Sequence, residues 1–135
     1  MKTRPGMPVV CRLPDGRYLM IYERVGLPDV PVYFRYSDDR RHWGDPQDPG
    51  TLITDAEGNF MSGTPYVIWT PLGGKKGSHI ASAKSMRRNG EMVGNGLMVN
   101  CNLGKGHWTF VPTDITYQAR PHSGGYSNAL LIVEN

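Results

Sequence analysis

The chain has 135 residues, with 15 Lys and Arg against 12 Asp and Glu for a net charge of +3. That length suits one domain able to bury roughly two-thirds of its unfolded surface. At 39% apolar and 20% charged residues the composition is that of a globular protein, and no run of about 18 apolar residues exists to form a membrane-spanning helix. Seventeen Gly and eleven Pro disfavour long helices, because each interrupts the backbone hydrogen-bond ladder or its conformation.

Residues 1–6 contain no apolar stretch of the kind found in a secretion signal, so none is expected here. Val9 to Leu13 and Tyr18 to Tyr22 are short apolar runs separated by Pro14-Asp15-Gly16, a strong hairpin signal. A third run, Val30 to Tyr36, is rich in β-branched and aromatic residues and ends in the polar turn Ser37 to Trp43. Thr51 to Thr54 reads as a short fourth strand. The order then recurs: Tyr66 to Trp69, a Gly73-to-Gly77 turn, His79 to Ala83, Leu97 to Cys101, and Trp108 to Val111. Between them lies a polar turn at Asn89-Gly90, and Ser85 to Val93 is also compatible with a single helical turn. A third start at Gly125-Tyr126-Ser127-Asn128 leads into the apolar run Ala129 to Val133.

Aligning Gly6-Met7-Pro8, Gly63-Thr64-Pro65 and Gly125-Tyr126-Ser127 gives repeat spacings of 57 and 62 residues. Four antiparallel strands per repeat, with a Trp before the last, is the pattern of a propeller blade. The fold class expected is therefore all-β, an incomplete propeller with blade one at 4–57, blade two at 58–118 and an inner strand of a third blade at 119–135. A closed ring takes a minimum of about four blades. Exposed blade faces and an unpaired edge at Ala129 to Val133 lead to the expectation of a homo-oligomer.

The run Arg4 to Val10, then Leu13-Pro14-Asp15-Gly16-Arg17-Tyr18 and Ile21-Tyr22-Glu23, resembles the sialidase-like six-bladed propellers, nearest to exo-arabinanase-like glycoside hydrolases. Ser37-Asp38-Asp39-Arg40-Arg41-His42-Trp43 resembles an Asp-box (BNR) repeat, with Arg40 or Arg41 standing where that family has Gly. Asn100 to Gly104 with Trp108, and Tyr126-Ser127-Asn128, resemble the later part of the same family. Such boxes lie away from the active site in the family, so this part of the resemblance implies fold and not chemistry.

In a hairpin, the start of the first strand and the end of the second share one edge of the sheet. Arg4 and Glu23 are thus expected at the same rim, a carboxylate beside a guanidinium. The resemblance implies a functional acid near Glu23, after Tyr22. Glycoside hydrolysis generally requires two carboxylates, and Glu91 is the candidate second acid, with Asp55 and Glu57 as alternatives. Blade two carries Ala83-Lys84-Ser85 at the strand end equivalent to Glu23. Arg4, Tyr22, Tyr126 and Asn128 are candidate sugar-binding residues, Asn128 standing where the family often has a basic residue.

Cys11 and Cys101 lie in apolar runs without CxxC spacing and are expected as buried free thiols. The histidines at 42, 79, 107 and 122 lack ligand spacing, so no metal is expected. The pairs Arg40-Arg41, Lys75-Lys76 and Arg87-Arg88 sit beside turn residues and are read as solvated turns; nucleic acid and membrane are not expected partners. The resemblance implies carbohydrate as the partner and carboxylate chemistry without a cofactor. Three functions follow: an exo-acting glycosidase, a carbohydrate-binding module, or a truncated propeller fragment without catalysis.

Overall fold

A computed structural model describes residues 3–113. Eleven strands form three antiparallel sheets among the described residues. The first sheet contains β1 (Arg4–Arg12), β2 (Tyr18–Val25), β3 (Val32–Ser37) and β4 (Thr51–Leu52), in that order. The second contains β6 (Tyr66–Thr70), β7 (Ser78–Ser82), β10 (Gly96–Asn100) and β11 (Thr109–Pro112), again side by side in chain order. These are the two four-stranded blade-type sheets expected from the repeat. The third-blade strand, with Tyr126, Asn128 and His122, lies outside the described residues.

A third, smaller sheet joins β5 (Phe60–Ser62), β8 (Ser85–Arg88) and β9 (Glu91–Gly94). It excludes the single helical turn that Ser85 to Val93 also allowed. The reason is the turn chemistry: Asn89 and Gly90 both adopt the left-handed backbone (φ 53° and 79°) that closes a tight hairpin. Arg87 and Arg88 consequently belong to a strand rather than to a solvated turn.

Alternation along the strands places the core. Leu19 and Ile21 on β2 and Val32 and Phe34 on β3 face Val67, Ala81 and Met98 of the second sheet, with Met61 and Met86 of the small sheet, Ile53 and Trp108 filling the space between. The β1–β2 connection is held by Leu13 N–H donating to the Arg17 carbonyl (2.8 Å) and by Asp15, which accepts from Arg17 N–H (3.0 Å) and Nε (2.9 Å). The Arg17 partnership lowers the Asp15 carboxyl below its usual range.

Each four-stranded sheet ends its third strand in a side-chain-centred turn followed by Trp. In the first, Asp39 Oδ1 accepts from the N–H groups of Arg41 (2.8 Å) and His42 (2.9 Å), and Trp43 Nε1 donates to the Arg40 carbonyl. In the second, Asn100 Oδ1 accepts from Asn102 and Gly104 N–H (both 2.8 Å), and Trp108 Nε1 donates to the Gly104 carbonyl. Both cysteines are free thiols, but only Cys11 is partly covered. Burial pushes its thiol up to about 11. Cys101 is exposed, contrary to expectation, because it follows β10 and enters the polar turn.

Candidate active site

The Gly-x-Pro repeat has a structural counterpart that builds the site. In each sheet the residue between Gly and Pro is left-handed: Met7 at φ 47° and Thr64 at φ 41°. Proline at the next position cannot donate to a ladder, and in β1 the pairing slips between Gly6 and Val9. The kink turns the start of the inner strand toward the end of its hairpin partner. Gly6 stands opposite Glu23, and Gly63 accepts a hydrogen bond through its carbonyl from Lys84 N–H at 3.0 Å. Glu23 and Lys84 thus occupy matching places in the two sheets, and β1 and β6 lie beside one another.

Their side chains line one cavity of about 500 Å3. Arg4 of β1 and Arg87 of β8 add two further cations to its wall, and Asp29 a second acid. Glu23 Oε2 accepts from the Thr64 backbone N–H at 2.8 Å, so a main-chain donor of the second sheet orients a carboxylate of the first. On the other side there is no spare room: a Cβ at Gly6 would lie 3.0 Å from Glu23 Oε1 and 3.2 Å from Val25. Asp29 Oδ1 lies 3.4 Å from Arg87 Nη1, a partly buried ion pair.

Strained backbone collects around this cavity. Asp29 (φ 63°), Val30 (φ 44°) and Thr64 all line it in the left-handed region, which β-branched residues such as Val and Thr rarely adopt. Neighbouring bonds hold them there: Gly63 N–H donates to the Val30 carbonyl (3.0 Å), and the Ser62 hydroxyl donates to the Asp29 carbonyl. Strain of this kind costs on the order of 1–3 kcal/mol per residue and gathers where a fixed geometry serves a function.

Of the residues singled out from sequence, Arg4 and Glu23 are brought together, as the shared rim required. Both lie within strands rather than beyond their ends. Tyr22 points to the other face of β2, as strand alternation dictates. It is 3% exposed; its hydroxyl donates to the Pro49 carbonyl and accepts from Arg35 Nε at 3.2 Å. Glu91 is exposed at the start of β9, opposite Arg88, and does not line the Glu23 cavity. Asp55 and Glu57 line a separate cavity of about 490 Å3 beside Trp108. There Asp55 caps its own turn, and Glu57 lies 3.7 Å from Arg88. Tyr126 and Asn128 are outside the described residues.

Sequence reasoning assigned no role to Lys84, although the repeat alignment carried the signal: it stands to Gly63 as Glu23 stands to Gly6. Asp29 sits in the β2–β3 connection, outside any repeat, and had no such signal. Among the described residues no group of three or more His, Cys, Asp or Glu side chains could hold a metal ion. His79 is fully buried beside Trp108, neither ring nitrogen has a hydrogen-bond partner among the described residues, and burial lowers its pKa to about 4.

No protein-family model matches the sequence, and no curated protein does. Solved structures do. The Penicillium chrysogenum alpha-L-arabinanase complexed with arabinobiose is 33% identical over 83% of this chain and 30% of its own, with a TM-score of 0.64. The GH93 alpha-L-arabinofuranosidase of Fusarium graminearum with arabinobiose is 32% identical over 83% of this chain and 32% of its own, with a TM-score of 0.62. The alpha-L-arabinofuranosidase from Fusarium graminearum in complex with an iminosugar inhibitor is 31% identical, covering 83% of this chain and 31% of that one, with a TM-score of 0.64. The chain spans about 30% of the length of these proteins. By sequence and by fold, the chain is related to these glycoside hydrolases.

Proposed function

We propose that the chain forms part of a glycoside-hydrolase-type propeller whose Glu23 cavity receives a terminal sugar of an arabinose-containing polysaccharide. The observation that carries this reading is the Glu23 carboxylate, aimed into the cavity and held by the Thr64 N–H of the neighbouring sheet. A fixed carboxylate beside Arg4 can accept hydrogen bonds from sugar hydroxyls or take the acid, base or nucleophile role in glycoside cleavage. The arabinobiose in the related structures supports the sugar class.

Titration of the 135-residue chain with arabinobiose, followed by calorimetry, tests the binding. Saturable binding that Glu23→Gln weakens about tenfold or more is expected from the loss of a charge-assisted contact; no binding at millimolar sugar overturns the proposal. Binding without turnover is a second reading, because Asp29, the other acid in the cavity, is engaged by Arg87. Release of arabinose from an aryl arabinofuranoside, lost in Glu23→Gln, separates the enzyme from the binder.

Two finer features belong to the same reading. The Ser37–Trp43 turn acts as an Asp-box: Asp39 accepts its backbone N–H groups, and Arg40 adopts φ 69°, the conformation glycine serves in such a turn. Several copies assemble through blade edges, where β1 exposes Met7 and Val10 and β11 exposes Val111. Light scattering on a size-exclusion column that gives the mass of one chain overturns the assembly.

A further inference from the structure

We propose that Arg87 is a positioning residue for the Glu23 carboxylate, acting through the Asp29–Val30 corner and the Thr64 N–H. The consequence for sugar binding rests on the carbohydrate reading above; the effect on the carboxylate does not.

Two consecutive main-chain donors cross from the start of the second sheet to the first. Gly63 N–H donates to the Val30 carbonyl at 3.0 Å, and Thr64 N–H donates to Glu23 Oε2 at 2.8 Å. The Gly63 carbonyl, in the same rigid peptide unit as the Thr64 N–H, accepts from Lys84 N–H at 3.0 Å. The direction of the bond to Glu23 is therefore set by where Gly63 is held, and the Val30 carbonyl holds it.

The corner that aims this carbonyl is left-handed at both Asp29 (φ 63°) and Val30 (φ 44°), a conformation a β-branched residue resists. Within its own loop, Val30 N–H donates to the Leu27 carbonyl at 3.1 Å. Further hold comes from the small sheet. The Ser62 hydroxyl of β5 donates to the Asp29 carbonyl, and Arg87 Nη1 of β8 lies 3.4 Å from Asp29 Oδ1. Those two groups come from paired strands, since Arg87 stands opposite Phe60 and Ser85 opposite Ser62. Both side chains of the ion pair are partly buried, which limits screening by salt. The Arg87 Nε is buried without a hydrogen-bond partner among the described residues, so the contact with Asp29 is what engages the guanidinium. Loss of this cation leaves a partly buried carboxylate without its counter-charge, in a backbone conformation that then has less to hold it.

The Thr64 amide resonance in NMR spectra of the 135-residue chain reports the bond to Glu23 directly, and Glu23→Ala gives its position without that bond. Arg87→Gln is expected to move it about half of that way or more, and Arg87→Lys, which keeps the cation, to recover most of the shift. Asp29→Asn moves it as Arg87→Gln does, and the double substitution adds little to either, as a pair acting through one contact requires. Arg88→Gln, a charge change facing the other cavity, leaves Thr64 in place. Arabinobiose affinity falls about threefold or more in Arg87→Gln. A merely structural loss would lower the urea midpoint without singling out Thr64. An unmoved Thr64 resonance in folded Arg87→Gln, additive effects of the two substitutions, or an equal shift in Arg88→Gln overturns the inference. Should Arg87→Gln fail to fold, Asp29→Asn, which keeps the shape of the side chain, is judged by the same shift. If arabinobiose binds with unchanged affinity while Thr64 moves, the role of Arg87 at the site falls. If the sugar binds neither variant nor unsubstituted chain while Thr64 moves as expected, the carbohydrate reading falls and the positioning of Glu23 stands.

Discussion

The first sheet carries an acid where the second carries a base, and an exposed Asp-centred turn where the second has a buried Asn-centred one. Both begin with the same Gly-x-Pro corner, a left-handed residue in the middle and the hairpin partner's last residues alongside. A repeat therefore conserves backbone geometry while leaving the side chain at each equivalent point free to change. The two Trp turns make the same point about packing. Trp43 stays partly exposed at the end of its turn, whereas Trp108 is 1% exposed and packs between the sheets against His79.

The largest expected effect separates those two tryptophans. Trp108→Ala removes a fully buried indole from the space between the sheets and should cost about 3–5 kcal/mol, a large share of the roughly 5–15 kcal/mol that holds an ordinary domain folded. Trp43→Ala should leave a measurable denaturation transition. Equal losses in urea unfolding would break the distinction between the two turns.

Acid acts on the second sheet next. His79 is held neutral by burial, its pKa lowered from 6.5 to about 4. The unfolded chain therefore takes up a proton that the folded chain refuses once pH falls below about 6.5. Stability drops from there down to about pH 4, by up to about 3 kcal/mol in all. His79→Leu should remove that part of the pH dependence in denaturation curves between pH 7 and 4.5; an unchanged slope would place the acid sensitivity elsewhere.

The corners should respond more gently, and differently. Gly63→Ala places a side chain at φ 71° and should cost about 1 kcal/mol of stability. Gly6→Ala has no such backbone strain, but its methyl would crowd Glu23 Oε1. It should weaken arabinobiose binding more than it lowers the unfolding midpoint, and an unaltered affinity would show that the position of this carboxylate does not matter.

The smallest effect belongs to the exposed turn of the first sheet. The N–H of His42, then its ring, and the N–H of Arg41 hold the Asp39 carboxyl well below its usual range. This contribution is present above the unfolded pKa of 3.8 and fades as pH falls through the lower folded value. Solvent screening keeps it small, so Asp39→Ala should shift the unfolding midpoint at neutral pH less than any of the other changes.

The sequence by itself determined the strands of the two four-stranded sheets and their order. Short alternating runs cannot bury a face as helices, and Asp15-Gly16 supplies a turn that only connects neighbouring strands. The Gly-x-Pro recurrence likewise established the two-sheet repeat, and strand polarity put Arg4 and Glu23 at one rim. Only the tertiary structure decided which acids and bases meet there. Ser85 to Val93 holds only Met86, Met92 and Val93 as apolar residues, too few to set a period, and the pairing of β8 with β5 made its first half a strand. That pairing brought Arg87 to Asp29 and drew Glu91 onto a different surface. Tyr22 and Glu23 are adjacent in the chain yet face opposite sides of β2, and the loop carrying Pro49 took the tyrosine hydroxyl. Such meetings join residues tens of positions apart through packing and backbone strain. Local sequence preferences do not encode them, because the partners come within reach only after the sheets have docked.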